Sequence, residues 1–115
     1  MSAVRYAWEA AQAMESLASV TGTPQGYESP EALAGAVEAL GVVAEGIPRV
    51  LVQTATWLEA AHQQGRVGHD QDLDPAMSVY IVCGYLNTSQ VYVTSLARGL
   101  WEAHKRAAHL RGVVL

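Results

Sequence analysis

The chain has 115 residues, about the length of one domain, with half of them hydrophobic, a formal net charge of -4 and a single cysteine. That charge balance disfavours nucleic acid, since a phosphate-binding surface needs clustered Lys and Arg, and the lone Cys83 excludes an internal disulfide. Phe is absent and Ala abundant, so an interior must be built from Ala, Val, Leu, Trp and Tyr on closely spaced helices.

Arg5 and Glu9 interrupt the N-terminus before an apolar run develops, so neither a signal peptide nor a membrane anchor is expected there, and a reducing, cytoplasmic home is. The preference for Arg over the single Lys105 points to a GC-rich bacterial genome.

In chain order, Val4, Ala7, Trp8, Ala11, Met14, Leu17 and Ala18 recur at helical spacing, which predicts a helix over 2–20. Ser2 caps its start, and Gly22 followed by Pro24 stops it. Ser29-Pro30-Glu31 opens a second helix over 30–45, with the hydroxyl as cap, proline in the first turn and a carboxylate against the dipole. Its buried stripe is expected at Leu33, Ala36, Val37, Leu40 and Ala44. Gly46-Ile47-Pro48 is read as a tight corner, because Pro48 cannot donate to the Ala44 carbonyl. The alternative is one kinked helix that pairs 30–65 with 75–111 as an antiparallel hairpin. A third helix over 48–64 then buries Val50, Leu51, Trp57, Leu58 and Ala61 and ends at Gly65.

Residues 65–74 read as exposed loop, and Asp74-Pro75 starts a last helix reaching residue 111, about 55 Å long if unbroken. From Ala76 to Ala97 no residue is charged, so burial on most sides by the other helices is expected, with Gln53, Thr54 and Thr56 satisfying the polar centre Asn87-Thr88-Ser89-Gln90. That polar centre argues against a membrane span. It also has the spacing of a capping box, where the helix would break and fold back; an unbroken helix covered by a second copy of the chain is preferred. The expected architecture is therefore a single all-α domain over 1–115, a four-helix bundle-like arrangement with the long C-terminal helix central.

Few motifs carry chemistry. Asp70-Gln71-Asp72-Leu73-Asp74 starts like a calcium loop, but Pro75 and Ile81 stand where glycine and a bidentate Glu belong, so a solvated loop is expected. Glu59 and His62 have the Glu-x-x-His spacing of di-iron bundles, but only one copy occurs. No metal or other cofactor is expected.

Arg98-Gly-Leu-Trp-Glu-Ala-His104 resembles the Arg-x(4 to 6)-His pattern of the HEPN family, small helical domains that often dimerise and cut RNA. The resemblance implies Arg98 for phosphate stabilisation and His104 for proton transfer in a dimer groove, although Gly99 replaces the polar residue that usually follows the Arg. The reading preferred over it is that Arg98 begins the charged end of the helix and His104 complements its dipole.

Trp57, Tyr80, Val82, Tyr85, Asn87, Tyr92, Val93, Leu100 and Trp101 are the candidate interface or ligand-pocket residues. The function expected is non-enzymatic: an interaction or accessory protein that pairs with itself or another protein through the last helix. A ribonuclease using Arg98 and His104 and a small-molecule sensor are the alternatives.

Overall fold

The computed structural model describes residues 2–113. It is all-helical, with α1 (Ala3–Thr21), α2 (Pro30–Gln63) and α3 (Ala76–Ala107), and no strand occurs among the described residues. The caps explain most of the boundaries. Ser2 Oγ accepts from the Arg5 amide at 3.3 Å, and Ser29 Oγ accepts from the Ala32 amide at 3.1 Å. Asp74 Oδ1 accepts from the Ala76 amide at 2.9 Å as α3 begins. After α2, the Gly65 amide donates to the His62 carbonyl and the Arg66 amide to the Ala61 carbonyl, with Gly65 at φ 73°. This paired closure requires a left-handed residue, which glycine supplies without a Cβ penalty.

Several expectations fail, among them the burial of Val50 and Trp57, which are 57% and 62% exposed, and the reach of the last helix, which stops at Ala107 rather than residue 111; three others bear on the architecture. The corner at Gly46-Pro48 does not form, so three helices replace four, and α2 runs through Pro48 for 34 residues. A proline inside a helix costs about 3 kcal/mol. The helix continues because Ala44, Pro48, Leu51 and Ala55 all lie on the side packed against α3, and a corner would strip half of that contact away. Second, α3 is neither central nor wrapped: it packs on α2 alone. Tyr80, Tyr85 and Tyr92 are 77%, 73% and 72% exposed. Third, Asn87, Thr88 and Ser89 face solvent, so water satisfies them, and exposed Gln53, Thr54 and Thr56 are not their partners. The Thr54 hydroxyl instead donates to the Val50 carbonyl of its own helix.

The α2–α3 pair is an antiparallel hairpin with a regular seam. Among the buried and half-buried positions, 34, 37, 41, 44, 48, 51, 55, 58 and 62 on α2 alternate in steps of three and four, and 79, 83, 86, 90, 93, 97, 100, 104 and 107 on α3 do the same; Ala61, the most buried residue, lies off that line beside the connection. A sustained heptad repeat is the sequence basis of coiled-coil packing. Contacts of Ala34 with His104, Gly41 with Trp101 and Ala55 with Cys83 hold one register along the pair. The fully buried residues are small, and a hydrophobic cluster of Ala55, Val79 and Cys83 is flanked by Leu58, Val67 and Leu86 near the connection.

α1 runs antiparallel to α2 and stands away from it. Its Cα atoms stay more than 8 Å from those of α2 and α3, and none of its residues is buried. Alanines on both sides leave an open apolar crevice of about 510 Å³ between Met14 and Leu17 on one helix and Leu40 and Val43 on the other. The whole is elongated, 68 × 24 × 23 Å, with a radius of gyration of 19.3 Å, against about 13 Å for a compact domain of this length.

Candidate interaction surface

The two edges of the hairpin differ in chemistry. On one edge the Trp101 indole N–H donates to the Glu45 carboxylate, while its ring covers Gly41. One turn on, His104 places Nε2 3.3 Å from Glu38 and Nδ1 3.3 Å from the Ala34 carbonyl, with Trp101 and His104 edge to face at 5.7 Å. Glu59 lies near Cys83 on this same edge. Burial first, and then the Glu59 carboxylate, push the Cys83 thiol above its ordinary value of 9.0, so it stays protonated at neutral pH.

The other edge carries no charge. At about 100° per residue, the antiparallel pairing brings Leu40, Ile47 and Leu51 of α2 to the same side as Val82, Ser89 and Leu96 of α3. α1 lies over this edge on the α2 side, where Ala36, Leu40, Val43 and Ile47 face it across the crevice. The back of α3, opposite the seam, is uncharged too: Tyr80, Ile81, Gly84, Tyr85 and Thr88 form a shallow open depression there.

The anticipated functional residues are scattered by this arrangement. Tyr80, Val82, Tyr85, Asn87 and Tyr92 are exposed on α3; Val93, Leu100 and Trp101 are half-buried at or beside the seam. Trp57 is exposed on α2, lines an open crevice with Ala3, Val50, Gln53 and Thr54, and has the Arg66 guanidinium 5.6 Å from its ring centroid. Trp57 and Asn87 therefore do not share a pocket, because they lie on opposite edges. Arg98 is exposed, and its spacing of six residues from His104 puts the two on different sides of α3. Glu59 is exposed and His62 half-buried, and no cluster suited to a metal ion occurs among the described residues.

The exposure of α1 was the feature sequence reasoning missed. Val4 and Trp8 belong to a helical stripe, the usual sign of burial, yet they are 65% and 66% exposed. No helix among the described residues is long and apolar enough to cross a membrane. No family model matches the chain, and neither the curated proteins nor the solved structures provide a match.

Proposed function

We propose that this protein is a non-enzymatic helical interaction module that acts as a homodimer or adaptor through its long C-terminal helix. Its main support is unspent surface. The accessible area of 8892 Å² exceeds by about 2,800 Å² the value expected for a compact 12.3 kDa chain. Summed over two chains, about 5,600 Å², that excess is at the upper end of what obligate subunit interfaces remove from water. Single exposed apolar residues are ordinary on a monomer; a continuous uncharged face over 76–97 is not. Sedimentation equilibrium at micromolar concentration tests the reading. A dimer, or a stable complex with a helical partner, is expected, and a monomer with no partner overturns it.

The sensor reading has one observation in its favour, the apolar crevice between α1 and α2. It predicts a rise in melting temperature with an apolar ligand, which a filled protein–protein interface would not give. The ribonuclease reading has less support, because His104 is engaged with Glu38 and the Ala34 carbonyl rather than directed at a groove with Arg98.

A further inference from the structure

α2 is the corner of an L. Its stripe towards α3 (Ala34, Gly41, Ala44) and its stripe towards α1 (Ala36, Leu40, Val43) are about 120° apart around the helix at 3.6 residues per turn. That angle is nearer to the right angle of a four-helix square than to the narrower angle of a three-helix bundle. Three corners of a square are therefore filled, by α1, α2 and α3, and the fourth is open.

The side of α3 turned towards the open corner is uncharged and presents Val82, Ser89 and Leu96; that of α1 presents Val4, Trp8 and Ala11 and carries one charge, Glu15, a turn further along the same line. The outer side of α1 is different, carrying Arg5, Glu9 and Gln12, with Arg5 and Glu9 paired at 3.6 Å.

Resting on the homodimer reading above, we propose that α3 of a second copy fills this corner, about a twofold axis parallel to the helices. Reciprocal insertion gives a closed slab of six helices, two layers of three, with the two α3 helices side by side and parallel at its centre. The occupant of the corner must offer uncharged surface on three sides: to its own α2, to the other α3 and to the other copy's α1. Between Ala76 and Ala97 α3 meets that demand, since its only neighbour in one copy is α2 and it has no charge on any side. α1 in the same role would press Arg5 and Glu9 against apolar surface, which is costly. The arrangement also leaves the edge with Glu38, Glu45 and Glu59 facing water. It buries α3 where the sequence lacks charge, and it draws on the surplus area of each chain.

A parallel central pair brings each α3 residue on that side next to its own counterpart, which sets a direct test. In a Cys83→Ala background, Val82→Cys and Ala103→Cys are made separately in the full-length chain and oxidised. Both variants are expected to form disulfide-linked dimers, because the two positions lie three heptads apart on one line of the helix. Leu96→Asp should weaken dimerisation more than tenfold, while Thr56→Arg on the opposite edge leaves it unchanged. A dimer in which only one cysteine position links would have crossed or antiparallel α3 helices. One in which neither links would use another face. Either result overturns this arrangement and leaves the homodimer reading standing. A monomeric wild-type chain overturns both.

Discussion

The Cβ that Gly41 lacks would lie 3.3 Å from Cε2 of Trp101, so this glycine on α2 is the seat of an indole from α3. The indole N–H also donates to the Glu45 carboxylate, one turn along α2 from Gly41, which limits how far the ring can retreat. A larger residue at 41 must therefore push the helices apart or expel the ring. Gly41→Leu is expected to lower stability by about 1–3 kcal/mol, the usual cost of overpacking, despite leucine's better helix propensity. Urea unfolding of the two proteins checks it, and an unchanged midpoint would mean that the ring does not rest on position 41.

Pro48 is a different case, since nothing fills the place of its missing N–H. Pro48→Ala restores a donor for the Ala44 carbonyl, whose residue is buried on the seam. A gain of up to about 3 kcal/mol is expected by the same denaturant measurement. A loss would show that the seam depends on a bend at this residue.

How much of this was readable beforehand follows from which forces are local. The caps at Ser2, Ser29 and Gly65 are short-range chemistry, and all three act as their residue types imply. Pro48 misled because its cost is local while its compensation comes from α3, far along the chain. The absence of charge over 76–97 led to an expectation of burial by the other helices that α3 does not meet, because charge pattern cannot say how many sides of a helix are covered by its own chain. Gly46 looked like a stop signal for the same reason: the packing of its neighbours on α3 is invisible from composition. For the candidate site, Trp101 is among the candidate interface or ligand-pocket residues, but Glu45 as its hydrogen-bond partner and Gly41 as its seat depend on the hairpin register.

Cys83 gives a pH prediction with a definite sign. Its thiol ionises at higher pH in the folded chain than in the unfolded one, so below the ordinary value of 9.0 it is neutral in both states and has no effect. As pH rises past that value the unfolded chain loses the proton first, and stability falls. The expected outcome is a steeper alkaline loss of stability for the wild type than for Cys83→Ala, followed as urea midpoints between pH 8 and 10, a range of about one unit either side of that value. Parallel slopes would place the thiol in contact with water.

His104 is predicted to be a structural residue. His104→Ala removes the contacts to Glu38 and to the Ala34 carbonyl, and about 1–2 kcal/mol of stability should go with them. Purified protein should show no RNA cleavage attributable to Arg98 or His104. A cleavage activity lost in folded Arg98→Ala and His104→Ala variants would instead revive the nuclease reading.

The single register of the hairpin governs the order in which it can assemble. The Cys83–Ala55 contact closes a separation of 28 residues, whereas the Gly112 amide reaches Glu31 across 81. Bringing the distant ends together first would cost about 1 kcal/mol more in chain entropy than starting beside the connection. Zippering therefore begins at the turn and travels outward, and the tail that follows α3 becomes the last strap to fasten, anchored on the first turn of α2.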